Sequence, residues 1–172
     1  MEIIEILKIS LPALLVLITA YLLISKMLRN EDNRRKHELV KTNSATLTPI
    51  RLRAYERLSL VLERTTPNAL ILSVAKPGML SMELHTLLLS IVRNEFSHNH
   101  SQQIYVSDEL WRYMKAAQES LLRLINTSAS KVNPNASATE LAELIINMYK
   151  LSENPPSEIA MNRLKEEVRN FF

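Results

Sequence analysis

Residues 84–96 read LHTLLLSIVRNEF, and this stretch decides the fold class of the chain. Its large apolar side chains recur at intervals of three and four residues, which places them on one face of an α-helix. These residues are Leu84, Leu87, Leu88, Ile91, Val92 and Phe96. A helix from about Met79 to Ser97 is therefore predicted, and its apolar face requires other helices to cover it.

Similar helical patterns occur on both sides of this stretch. A first helix of the folded domain is predicted to start at Thr48-Pro49, because threonine suits the N-cap and proline the first helical position. Ser107 is predicted to cap another helix with its hydroxyl. A further helix starts at Ser137, which forms a capping box with Glu140. The last helix is predicted to run from Ser157 to Phe172.

The composition supports a helical fold and excludes several classes of function. The chain has 172 residues, of which 47% are hydrophobic, and its one glycine is Gly78. A phosphate-binding P-loop needs two glycines and the dinucleotide fingerprint needs three, so neither is present in standard form. The chain has no cysteine, which excludes disulfides, thiolate catalysis and cysteine-ligated metals. Gly78 is predicted to adopt a positive φ in a turn with Lys76 and Pro77.

Two short segments leave their local structure open. Leu70–Val74, LILSV, is apolar and suits either a buried strand or an extended connector. Gln102–Val106 lies between two predicted helices, and an extended chain there would place Tyr105 opposite its two neighbours. The predicted fold is therefore mainly α, with a bundle of four to five helices and at most one short extended pair.

The N-terminus contains an apolar run long enough to cross a membrane. Residues Ile9–Ser25 carry no charge, and the run extends to Ile6 and Leu28 with Lys8 and Lys26 as its two charged residues, one near each end. At about 1.5 Å rise per residue, residues 6–28 span roughly 34 Å, which suffices for a bilayer core. A cleaved signal peptide fits less well, because acidic residues precede the run. The predicted organisation is an anchor (1–28), a basic polar linker or stalk (29–46) and a helical domain (47–172).

Charge predicts the orientation of this single-pass anchor. A basic cluster follows the span directly and includes Lys26, Arg29, Arg34, Arg35 and Lys36. By the positive-inside rule, the N-terminus is predicted to lie outside and the C-terminal domain in the cytoplasm. Residues 42–172 carry fourteen basic and thirteen acidic side chains, which argues against nucleic acid as a partner.

Candidate catalytic motifs are incomplete. Glu95 and His98 form an E-x-x-H pair, but carboxylate-bridged diiron bundles need that pair twice together with two further glutamates. Ser128 and Lys131 match S-x-x-K without the companion motifs of a serine acyl-enzyme. No metal, no cofactor and no enzymatic activity are predicted.

The connector SQQIYVS, residues 101–107, supplies the candidate partner-binding residues. The side-chain amides of Gln102 and Gln103 are predicted to satisfy backbone groups at the end of the preceding helix. Alternatively, Gln102, Gln103 and Tyr105 bind the backbone of a partner peptide. The internal role is favoured, because buried polar groups usually find internal partners.

Two motifs carry a resemblance to a known family. Residues 53–58, RAYERL, and residues 94–107, NEFSHNHSQQIYVS, followed by Trp111, resemble a family of small bacterial membrane-anchored proteins of unknown function. The resemblance covers nearly the whole chain, and the second motif is the more specific. It implies a bacterial inner membrane, one N-terminal span and a helical cytoplasmic domain, and it transfers no functional residue.

The sequence as a whole predicts a non-enzymatic adaptor or accessory subunit. It would dock a protein partner at the cytoplasmic face of the bilayer. The first alternative is a self-assembling membrane scaffold, in which the partner is another copy of the chain. The second is an enzyme or ligand-binding domain with a site near Glu95, His98, Gln102 and Gln103.

Overall fold

The computed structural model describes the backbone of residues 2–171 and the side chains of residues 17–31, 34 and 47–171. The chain divides into two compact units, Met1–Thr48 and Pro49–Phe172.

The described chain is mainly helical, as the sequence predicts. A single 3₁₀ helix, His100–Tyr105, connects two of the longer helices. The α-helices are α1 (Glu2–Arg64), α2 (Pro67–Val74), α3 (Ser81–His98), α4 (Asp108–Ala129), α5 (Ala138–Lys150) and α6 (Pro156–Phe171). The one β-type pairing among the described residues is an isolated antiparallel bridge between Leu80 and Ser137.

The predicted helix start at Thr48-Pro49 is wrong, because α1 begins at Glu2 and includes both residues. Residues 29–46, for which a helix and a flexible linker were both open, are helical. The physical reason is that these residues contain neither glycine nor proline, so nothing in them ends a helix.

The short extended pair that the sequence left open is not formed by the described residues. Leu70–Val74 lies in α2, with Thr66 as the N-cap residue and Pro67 at the start of the helix. Gln102–Tyr105 belongs to the 3₁₀ helix, and only Val106 has extended dihedral angles. Short apolar runs do not distinguish a strand from a buried helix by periodicity alone, and here tertiary packing selects the helix.

In the first unit, the large apolar side chains of residues 17–28 are exposed. Among the residues that the structure describes, no helix is both long and apolar enough to cross a membrane. The first part of the predicted span, Ile6–Val16, lies outside the described side chains. The membrane anchor therefore stays a prediction.

In the second unit, α3 and α4 form the centre of the core. Leu84, Leu88 and Val92 of α3 are at most 1% exposed, and Met114 and Ile125 of α4 are fully buried. Helices α5 and α6 both pack on α4. The last turns of α1 complete the core with Leu58, Val61 and Leu62.

Caps and one turn set the ends of these helices. The Ser107 hydroxyl accepts a hydrogen bond from the Leu110 N–H at 3.1 Å, so the predicted cap of α4 is confirmed. The Ser137 hydroxyl accepts from the Thr139 N–H at 3.2 Å. Among the described contacts, Glu140 makes no reciprocal side-chain bond, so Ser137 caps α5 alone. Gly78 has a φ of +77°, which confirms the predicted positive-φ turn.

The segment before α5 accepts hydrogen bonds from the first backbone N–H groups of α3. The Ser81 N–H donates to the Ala136 carbonyl at 2.8 Å, and the Met82 N–H donates to the Pro134 carbonyl at 3.2 Å. The Ser81 hydroxyl donates to the Asn133 carbonyl at 2.9 Å. A helix leaves its first N–H groups unpaired, and here a distant loop supplies the acceptors that local capping lacks.

Candidate functional site

The two motifs that carry the family resemblance meet at one carboxylate on α6. The Tyr55 hydroxyl donates to Glu167 Oε1 at 3.0 Å. The Ser107 backbone N–H donates to the same oxygen at 2.9 Å, and the Ser107 hydroxyl donates to Glu167 Oε2. Arg51 Nε donates to the Tyr105 carbonyl at 3.0 Å. We call these five residues, Arg51, Tyr55, Tyr105, Ser107 and Glu167, the Glu167 cluster.

The cluster is held by aromatic and cationic contacts as well. The guanidinium carbon of Arg51 lies 4.1 Å from the centre of the Phe171 ring. The Tyr55 and Phe171 rings meet edge to face, with their centres 6.5 Å apart. Burial raises the pKa of Tyr55 above its ordinary value, and its hydrogen bond to Glu167 raises it further, while Arg51 opposes the shift.

The raised pKa of Tyr55 predicts a loss of stability in alkali. Because the folded state favours the neutral phenol, its stabilising effect is complete below about pH 10, where an unfolded tyrosine ionises. It is then lost as the pH rises through the higher folded pKa. We expect the free energy of unfolding to fall more steeply above about pH 10 in the natural protein than in Tyr55→Phe. Denaturant unfolding of both proteins at several alkaline pH values measures the difference, and parallel curves would contradict it.

A groove of about 360 Å³ lies over the cluster, but its charged groups already have partners. Arg163 contacts Glu109 at 2.9 Å and Glu166 at 2.8 Å, and its guanidinium lies 5.5 Å from the Tyr113 ring. Glu167 accepts three hydrogen bonds from the chain itself. This arrangement closes α6 onto the ends of α1 and α4, so we interpret it as a structural latch.

A second, open groove of about 610 Å³ runs along the end of α1. We call it the arginine groove and define it by six of its residues: Arg53, Arg57, Arg64, Glu95, His98 and Asn99. The three arginines are spaced by four and seven residues, which places them on one face of α1. Glu95 and His98 lie one turn apart on α3, as their E-x-x-H spacing predicts.

The charges of the arginine groove are only partly paired. Arg64 Nη1 lies 4.0 Å from Glu95 Oε1, and the Arg64 side chain is 64% exposed, so this ion pair is weak. Arg53 and Arg57 are exposed and have no ion-pair or hydrogen-bond partner among the described residues. A guanidinium presents several donors in a plane and binds carboxylates in a bidentate manner. The groove is therefore suited to an acidic partner group.

The predicted role of the glutamine amides in ending α3 is wrong. The Asn99 side-chain amide makes that contact instead, donating to the Glu95 carbonyl at 2.9 Å. The Gln102 side chain reaches only Ser101, at a long 3.4 Å. Gln103 is half-buried, and its side chain has no hydrogen bond among the described contacts. Both amides are thus left available at the surface of the 3₁₀ helix, beside Ile104, which is 71% exposed.

The other predicted site residues are not brought together. The arginine groove contains Glu95 and His98, but Gln102 and Gln103 are not among the residues that line it. Tyr105 contributes its carbonyl to the Glu167 cluster. In the part of the chain with described side chains, no three metal-ligating residues gather into a potential metal site.

The basic cluster after the predicted span is described in part. Lys26, Arg29 and Arg34 have exposed side chains, whereas Arg35 and Lys36 lie outside the described side chains. The role of the cluster in setting membrane orientation stays a prediction.

Sequence reasoning missed Glu167, Arg51 and the arginine groove. The arginine groove could have been suspected from the sequence, because Arg53 and Arg57 are four residues apart and therefore lie on one face of a helix. Glu167 gave none, because its partners Tyr55 and Ser107 are 112 and 60 residues away along the chain.

The fold and these surfaces define a small helical protein in whose second unit the Glu167 carboxylate joins α6 to Tyr55 of α1 and to Ser107. The chain belongs to the family of unknown function DUF7935, whose family model matches residues 1–171. No curated protein and no solved structure matches it. Membership of an uncharacterised family is thus confirmed, whereas its membrane anchor and bacterial origin stay predictions.

Proposed function

We propose that this protein is a non-enzymatic adaptor, anchored in the bacterial inner membrane, that docks an acidic segment of a protein partner in its arginine groove. The observation that carries the proposal is the apolar surface of residues 17–28 in the first unit. Eight large apolar side chains there are between 45% and 76% exposed: Leu17, Ile18, Tyr21, Leu22, Leu23, Ile24, Met27 and Leu28.

These side chains cover every side of the helix. At 3.6 residues per turn, Ile18 and Met27 point in opposite directions, and the other members of the set lie at angles between them. A helix that is apolar all round suits a lipid environment or a protein core, and water is an unfavourable surrounding for it. Together with the uncharged sequence before it, this surface supports a bilayer anchor.

The basic cluster supports one orientation of the anchor. Lys26, Arg29 and Arg34 directly follow the apolar surface, so the positive-inside rule places residues 29–172 in the cytoplasm. A bacterial inner membrane is the location implied by the family resemblance. The domain is then tethered to the membrane, where an adaptor would meet membrane-bound partners.

The arginine groove is the surface best suited to the partner. Arg53 and Arg57 have no partner within the described residues, so a carboxylate from another protein would not have to displace an existing ion pair. Charged hydrogen bonds are stronger than neutral ones, and complementary charges also speed encounter. The side-chain amides of Gln102 and Gln103 can form hydrogen bonds with the backbone of the same partner. The exposed Ile104 offers it an apolar contact.

Reversing two charges in the groove is expected to remove the partner. The variant is Arg53→Glu/Arg57→Glu in the full chain, expressed at its natural level and purified from its own membranes in mild detergent. We expect recovery of any stoichiometric partner to fall roughly tenfold or more, equivalent to at least about 1.4 kcal/mol of binding free energy. Quantitative mass spectrometry of co-purifying proteins provides the measurement.

The matched control is Arg112→Glu/Lys165→Glu. Both of these cations are exposed, and neither lines the groove. The two double variants change net charge equally, so the control should retain the partner. Loss of the partner in both variants, retention in both, or the absence of a partner from the natural protein would overturn the docking proposal.

A self-assembling scaffold is the second candidate, because other copies of the chain can cover the same apolar surface of residues 17–28. The exposed apolar surface is the observation that favours this candidate. The mass of the purified complex in mild detergent separates the candidates. A homo-oligomer with no other protein supports the scaffold, whereas a monomer with a stoichiometric partner supports the adaptor.

A further inference from the structure

A small pocket lies where the ends of several helices converge in the second unit. Its volume is about 120 Å³, and it is bounded by the end of α1, the middle of α4, the end of α5 and the first residues of α6. It is separate from the arginine groove and from the groove over the Glu167 cluster, with which it shares no lining residue.

The pocket has an apolar floor. Phe96, Leu121 and Ala117 form part of it and are 7%, 8% and 4% exposed, respectively. A cavity with such a floor does not hold water well, because a water molecule needs two to four polar partners. An apolar cavity of about 150 Å³ in another protein stays dry and binds benzene, which sets the scale of molecule that fits.

The rim of the pocket carries hydroxyl groups. The Tyr149 and Ser157 hydroxyls are hydrogen-bonded to each other at 2.9 Å. Ser120 is half-buried, and its hydroxyl has no hydrogen-bond partner among the described residues. These groups can donate to and accept from a ligand without breaking the bonds that hold the helices.

No charged side chain is among the residues that line this pocket. An ion placed there would lose water and gain no counter-ion, which is costly, so charged ligands are disfavoured. An apolar ligand with no polar group would leave the rim hydroxyls without new partners. The lining therefore matches a neutral molecule with an apolar body and one polar end.

We propose that this pocket binds a small neutral amphiphile, with a ring or short chain for the apolar floor and a hydroxyl or carbonyl for the rim. Benzyl alcohol has this chemistry. The proposal is independent of the adaptor function, because it concerns a different surface and requires no protein partner.

Met148 provides a local reporter, since it lines the pocket, whereas Met82 is 56% exposed and does not. The full chain, labelled at its methionine methyl groups and held in lipid nanodiscs, is titrated with benzyl alcohol and followed by nuclear magnetic resonance. The Met148 signal is assigned by its loss in Met148→Leu. We expect a saturable shift of Met148 with little change at Met82.

Two comparisons test the chemistry. Benzoate has the same ring but carries a charge, and we expect it to bind at least tenfold more weakly than benzyl alcohol. Ser120→Leu fills the rim and is expected to weaken the binding of benzyl alcohol at least tenfold. Ser157→Ala removes a rim hydroxyl without adding bulk, and it serves as a second variant if the first does not fold. The proposal is overturned if benzyl alcohol gives no saturable Met148 shift, if benzoate binds equally well, or if the folded variants bind unchanged.

Discussion

Glu167→Ala is expected to lower the free energy of unfolding of the second unit by about 2–3 kcal/mol. The substitution leaves the Tyr55 hydroxyl and the Ser107 N–H without their acceptor, and Tyr55 is only 2% exposed. Removing one partner of a buried polar group costs more than the bond itself is worth, because the remaining group has lost water as well. The half-exposed position of Glu167 limits the effect to this range.

The single tryptophan allows this unit to be followed by itself. Trp111 is 9% exposed and lies in the core of the second unit, so its fluorescence during urea unfolding of the full chain reports on that unit. Glu166→Ala is the matched control. Glu166 precedes Glu167 on α6 and pairs with Arg163 at the surface, where ion pairs contribute at most about 1 kcal/mol.

A double-mutant cycle separates the latch from the cap. Ser107→Ala removes the hydroxyl's bond to Glu167 Oε2 and its bond from the Leu110 N–H, which caps α4, but it keeps the backbone N–H bond to Glu167 Oε1. Combined with Glu167→Ala, it should cost less than the sum of the two single substitutions, since they share one interaction. Strict additivity, or equal effects of Glu167→Ala and Glu166→Ala, would show that the cluster is no latch.

Leu88→Ala is expected to have the other large effect, a loss of about 2–5 kcal/mol. Leu88 is 1% exposed and lies at the centre of α3, so its truncation removes buried apolar surface and leaves a cavity. A protein of this size has a total stability of only about 5–15 kcal/mol, so the second unit would be close to unfolding at moderate temperature.

The neighbouring residue provides a close control for the core prediction. Leu87 has the same side chain on the same helix but is 41% exposed. Leu87→Ala carries the same change in helix propensity, so the difference between the two variants isolates the burial term. Urea unfolding monitored through Trp111 fluorescence measures both. A difference of less than about 1 kcal/mol would contradict the placement of α3 in the core.

Local chemistry made most of the helices predictable. The start of α4 follows from Ser107, because a cap acts on N–H groups only two or three residues away. The turn at Gly78 follows from the need for a positive φ. Errors arose where a local pattern had two solutions: LILSV suits a strand or a helix, and Thr48-Pro49 suits a helix start but does not require one.

The candidate site was less predictable than the fold. Spacing alone placed Glu95 and His98 on one face of α3, and the structure agrees. The same local logic assigned the glutamine amides to the end of that helix, where Asn99 lies instead. Several polar residues near a helix end can make the same contact, and the choice between them depends on the path of the following chain.

The sequence by itself determined that this chain is mainly helical, that Leu84, Leu88 and Val92 share the buried face of α3, and that Ser107 caps α4. These features depend on residues that lie three or four positions apart in the sequence, so the local sequence is sufficient to establish them. Only the tertiary structure decided that Tyr55 and Ser107 meet at Glu167. It also decided that Arg53 and Arg57 face Glu95 and His98 across an open groove. These contacts join helices that are far apart in sequence, and they form only when burial of the shared core brings those helices together.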